Sequence, residues 1–83
     1  MQNDIYHETL GSAFEAVREY LKNERAISTE FDNYLHTGGI SRNQTWQGHF
    51  KLDSLQGHET RSYLHISIYR FETGRYELTR YLG

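Results

Sequence analysis

His49 and His65 are the side chains through which this sequence comes nearest to metal or acid–base chemistry, because residue alternation places both on one face of neighbouring strands. Two imidazoles fall short of the three or four ligands that zinc prefers, and no Cys, Asp or third His has a spacing that brings it to them. The residues therefore predict no metal and no cofactor. Nor does the chain carry a Gly-rich phosphate loop, a nucleophile elbow or paired carboxylates at useful spacing. The one arrangement with catalytic potential is a metal-independent ribonuclease in which His65 works with Arg75 or Arg80 by general acid–base chemistry. The expectation is a protein that is not an enzyme.

A surface is what these residues offer instead. Arg61, Tyr63, His65, Tyr69, Arg70, Arg75, Tyr76, Arg80 and Tyr81 interleave aromatic and basic groups, and single-stranded bases stack on such aromatics while Arg neutralises phosphate. Glu59, Glu72 and Glu77 lie among them and work against a polyanion. Tyr and Arg are equally the residue types enriched at protein–protein hot spots, and strand edges accept further strands. Most simply, these tyrosines shelter one another on a solvated sheet.

The elements that position this surface follow from period. Tyr6, Leu10, Ala13, Phe14, Val17 and Leu21 recur at three- and four-residue spacing, which predicts an amphipathic helix from Asp4 to about Glu24. Ser12 and Glu15 have the form of a capping box, so the regular helix is expected to start there. Ser28 reads as the cap of a second, shorter helix carrying Phe31, Tyr34 and Leu35, closed by Gly38 in the left-handed region. Beyond Gly39 the period becomes two. Trp46, Gly48, Phe50 and Leu52 form one buried face, Leu64, Ile66 and Ile68 the next, and Arg75 to Leu82 a third strand after a connection at Glu72-Thr73-Gly74.

Centring the first hairpin on Gly57 pairs Phe50 with Leu64, Gly48 with Ile66 and Trp46 with Ile68, apolar to apolar. A three-residue loop in the second pairs Ile68 with Leu78, Leu64 with Leu82 and Ile66 with Arg80. The pleat then puts Gln47, His49, Tyr63, His65, Tyr69, Arg75 and Tyr81 on the opposite, outer face, with His49, His65 and Tyr81 in one cross-strand row and Gln47, Ser67 and Thr79 in the next. Those seven residues are the candidate binding residues. Arg70, Tyr76 and Arg80 fall on the core side.

Length and composition limit what else is possible. Eighty-three residues allow one core, and although only 36% of them are apolar, 14% are aromatic and bury large area each. With no cysteine and no metal cluster, self-association is the available reinforcement. The absence of Cys, together with an opening Met1-Gln2-Asn3-Asp4 that lacks a basic start and an apolar run, reads as cytoplasmic. No stretch is apolar enough to span a bilayer. Residues 1–40 hold three basic against seven acidic side chains, while residues 41–83 hold six against four, so the sheet half is the basic half of a chain whose net charge is −2. At the level of fold alone, two helices ahead of a meander are similar to RelE-type toxins. The chain shows neither their leading strand nor their basic balance, and no residue role is transferred.

The sequence thus predicts one α+β domain over residues 1–83, with one or two N-terminal helices packed on a three-stranded antiparallel β-meander in order 1-2-3. Its expected role is that of a small non-enzymatic binding or regulatory protein, with a protein partner or a second copy on the outer sheet face or edge. The alternative is a single-stranded RNA or DNA binder using the same face, and a membrane partner is not expected.

Overall fold

A computed structural model describes residues 5–33, 38–53 and 63–83 of the chain. Strand β1 (Ile5–His7) leads into helix α1 (Leu10–Asn23), and strands β2 (Thr45–Lys51), β3 (Tyr63–Arg70) and β4 (Tyr76–Leu82) follow. All neighbours pair antiparallel, in the order β1-β4-β3-β2.

The fold is α+β with an antiparallel sheet, as the periods predict, but among the described residues the sheet has four strands rather than three. A leading strand is present: Ile5 pairs with Leu78, Tyr6 with Glu77 and His7 with Tyr76. Residues 5–7 were expected in the helix because Tyr6 stands four residues before Leu10, a spacing that fits either period. The cap resolves the choice. Thr9 is extended, with φ −130° and ψ 152°, and its hydroxyl accepts the Ser12 amide at 3.1 Å. Ser12, expected as the cap, lies inside the first turn and hydrogen-bonds His7 Nδ1 at 2.7 Å instead. The N-cap of α1 therefore lies three residues before the one the capping box predicts.

Its C-terminal end falls where expected, but without glycine. Arg25 takes φ 60°, the Ala26 amide donates to the Leu21 carbonyl at 2.9 Å and the Arg25 amide to the Lys22 carbonyl at 3.2 Å. These two bonds are a Schellman closure with arginine in the left-handed position that glycine normally occupies. The chain then runs back along the sheet edge. Ala26 bridges Leu52, the Ile27 amide donates to the Lys51 carbonyl and the Asp53 amide to the Arg25 carbonyl.

No second helix starts at Ser28: residues 28–33 are irregular, and the Ser28 hydroxyl accepts the Glu30 amide two residues on, a local turn that competes with helix. Tyr34 and Leu35 lie outside the described residues. Phe31 nevertheless turns inward, with its ring 5.5 Å from Phe14, 5.6 Å from Trp46 and 5.8 Å from Phe50. The Trp46 indole Nε1 donates to the Asp32 carbonyl at 3.1 Å, which fastens this strap over the core. Gly38 has φ 89°, in the left-handed region as expected.

The strand register is the predicted one throughout. Trp46 faces Ile68, Gly48 faces Ile66, Phe50 faces Leu64, Ile68 faces Leu78, Ile66 faces Arg80 and Leu64 faces Leu82. The Glu72-Thr73-Gly74 loop closes with Gly74 at φ 94° and its amide on the Phe71 carbonyl. The first hairpin's connection around Gly57 lies outside the described residues. Leu10, Ala13, Phe14, Val17 and Leu21 of α1 cover the inner face formed by Trp46, Phe50, Leu64, Ile66, Ile68, Tyr76 and Leu78. Burying a large apolar side chain completely, as Phe14, Ile66 and Ile68 are, contributes about 1.5–3 kcal/mol each. Arg80 reaches the rim of this core, its guanidinium 3.9 Å from the Tyr20 ring centroid.

Candidate binding face

Side chains alternate along a strand, so burying the even-numbered positions of β2, β3 and β4 commits the odd-numbered ones to the other face. Among the described residues no helix or strand packs on that face. Its central row is His49, His65 and Tyr81, aligned across three strands by the pairing.

Backbone geometry makes this row close. Arg70 donates its amide to Gln44, so even-numbered residues exchange the β2–β3 hydrogen bonds. His49 and His65 are then a non-hydrogen-bonded pair, in which Cα atoms are about 4.5 Å apart and side chains approach most nearly. The two Nδ1 atoms are hydrogen-bonded at 2.7 Å, one donating and the other accepting. On its other side His65 stacks on Tyr81, with centroids 4.7 Å apart and planes at 23°. Tyr63 adds a second stacked ring at 6.2 Å from His65. Tyr81 is 63% exposed and Tyr63 38%.

The structure brings His49, Tyr63, His65 and Tyr81 together, and Gln47 lies in the adjacent row with Ser67 and Thr79. Tyr69 belongs one row further on, between Thr45 and Glu77, where its hydroxyl donates to Asn43 Oδ1 at 3.0 Å. Arg75 does not join them. It precedes β4, six residues from Tyr81, a separation of about 20 Å along a strand. There it forms an ion pair with Glu8, Nη2 to Oε1 at 2.9 Å. The ribonuclease arrangement is not assembled either, because Arg75 stands at that far end and Arg80 on the opposite face of the sheet.

A second cluster, absent from the sequence expectations, surrounds Arg75. Tyr6, Glu8, Phe71, Thr73, Gly74 and Arg75 line an open depression of about 650 Å³. The Phe71 ring is 5.0 Å from Tyr69 and 6.2 Å from Tyr6. Phe71 shares the parity of Tyr69 and was legible on that ground; Tyr6 and Glu8 were hidden by the helix assignment. No group of three His, Cys, Asp or Glu side chains gathers as a metal site among the described residues.

No protein-family model matches the chain, and neither the curated proteins nor the solved structures contain a match to it. Among the described residues no helix is long and apolar enough to cross a membrane.

Proposed function

We propose that this protein is a small non-enzymatic binding protein that engages another protein, a second copy of itself included, through the outer face of its sheet. The observation that carries this reading is the stacked row of His49, His65, Tyr81 and Tyr63, aromatic and solvent-facing on a rigid antiparallel scaffold. Rigid aromatic groups lose little conformational freedom on contact, which is why they anchor interfaces.

The placement of the cations supports a protein over a nucleic acid as the first choice. Arg70 donates Nη1 to the Ile40 carbonyl on the core side, Arg80 lies on Tyr20, Arg18 lies over Phe31 and Arg75 is held by Glu8. Lys51 is the basic side chain that the three meander strands turn outward among the described residues. A phosphate backbone needs several such charges. A single-stranded RNA or DNA remains the second reading because Tyr63 and Tyr81 present open ring faces to a base.

Amide chemical-shift titration of the labelled protein separates the two. A mixed pool of single-stranded RNA and DNA is expected to leave the face unshifted, while raising the protein concentration or adding its partner moves His49, Tyr63, His65 and Tyr81. Shifts on those four residues that appear with the nucleic-acid pool and vanish on adding salt would replace the protein reading with the nucleic-acid one.

A further inference from the structure

We infer that His49 and His65 form a two-imidazole chelate for a divalent transition-metal ion, Cu²⁺ above others. The observation is that the two Nδ1 atoms stand 2.7 Å apart on the open face of the sheet. In the hydrogen-bonded state one Nδ1 carries the proton and the other receives it. When both rings carry their proton on Nε2, both Nδ1 lone pairs are free, and turning each ring so that its lone pair leaves the N···N line brings both onto one metal ion beside that line.

The fit is close. Metal–imidazole bonds of about 2.0–2.1 Å require the two nitrogens to stand about 2.9 Å apart for a right-angled chelate and about 3.3 Å apart for a tetrahedral one. Reaching that geometry opens the pair by a few tenths of an ångström and turns both rings off the N···N line, and the non-hydrogen-bonded register already brings the strands close enough for both side chains to reach one ion. His65 is braced by Tyr81 and Tyr63, which limits its rotation to the sheet face.

The number of ligands selects the metal. Among the described residues no third His, Cys, Asp or Glu completes the group, so a closed zinc site is not built. Cu²⁺ stands highest in the divalent series for nitrogen ligands and accepts water at its remaining positions. Of the surrounding charges, Lys51 lies on the same face two residues from His49 and opposes a cation. Glu30 lines, with His49 and Lys51, a depression of about 310 Å³ at the open side of β2, and offsets that charge. The chelate needs no partner protein, so it stands or falls apart from the binding-face reading.

The test is calorimetric titration of the full chain with Cu²⁺ in a non-coordinating buffer, with electron paramagnetic resonance at one equivalent. One strong site with two-nitrogen hyperfine structure is expected. H49Q and H65Q should each weaken it by about tenfold or more, since losing one arm removes the effective concentration that the other gains. H36Q/H58Q controls for the imidazoles outside the described residues and is expected to bind as the parent does. Retained amide spectra establish that the variants are folded. One-nitrogen coordination, or undiminished affinity in either single variant, would overturn the assignment.

Discussion

The Asp53 amide donates to the Arg25 carbonyl at 2.8 Å, so the turn that ends α1 is fastened to the chain just beyond β2. Arg25, at φ 60° in the Schellman closure, holds a conformation costing a side-chain-bearing residue about 1 kcal/mol or more. Arg25→Gly keeps both Schellman bonds and the bond from Asp53, all of them backbone, and removes the cost. Chemical denaturation should show a gain of about 0.5–1 kcal/mol, offset in part by the greater freedom of glycine in the unfolded chain. A loss of stability would mean that the arginine side chain holds the turn.

Thr9 and Ser12 both resemble caps, and only one does the work of a cap. Thr9→Ala removes the acceptor for the Ser12 amide and should cost about 1 kcal/mol in urea denaturation. Ser12→Ala leaves that amide bond in place and removes only the exposed hydrogen bond to His7. Its cost should be the smaller of the two; the reverse order would return the helix start to Ser12.

Gly48 sits on the inner face between two large rings. A Cβ built there would stand 2.7 Å from Phe50 Cε2 and 2.7 Å from Trp46 Cη2. Neither ring is free to retreat, since Trp46 is held by Phe14, Phe31 and the Asp32 carbonyl, and Phe50 packs on Phe31. Gly48→Ala should lower stability by about 1–3 kcal/mol despite the better strand propensity of alanine. Trp46 fluorescence would report the displaced indole, and an unchanged spectrum with unchanged stability would refute the packing argument.

Tyr81 distinguishes function from fold. At 63% exposure its ring contributes little to the core, so Tyr81→Ala should cost no more than about 1 kcal/mol, the worth of its cross-strand stacking on His65. Binding through the outer face should fall sharply, measured by the same chemical-shift titration in the variant. Unaltered binding would move the interface elsewhere, the Tyr6–Phe71 depression being the next place to look.

How much of this was legible depended on how many residues shared the signal. The strand register follows from apolar alternation repeated over Trp46–Leu52, Leu64–Ile68 and Leu78–Leu82, where a slip of one residue would invert a whole face. Strand β1 has three residues, too few for a period to declare itself, and Tyr6 falls on both periods at once. The second helix failed because Ser28 has equal chemical means to close a local turn and to cap a helix. Parity alone carried no information on distance along a strand, so the separation of Arg75 from His65 and its pairing with Glu8 follow only from the length of β4.

The pairing of β1 with β4 joins the first described strand to the last, and it has a mechanical consequence. The two run antiparallel, with Ile5 opposite Leu78, so the start of β1 and the end of β4 lie toward the same end of the sheet. Tension applied between Ile5 and Leu82 loads the β1 edge at the Ile5–Leu78 pair, then at Tyr6–Glu77, then at His7–Tyr76, one after another. The same tension pulls on the end of β4, where the Gly83 and Tyr63 backbones exchange two hydrogen bonds, so the sheet is opened there too one pair at a time, as a zipper, rather than by sliding against all its hydrogen bonds together.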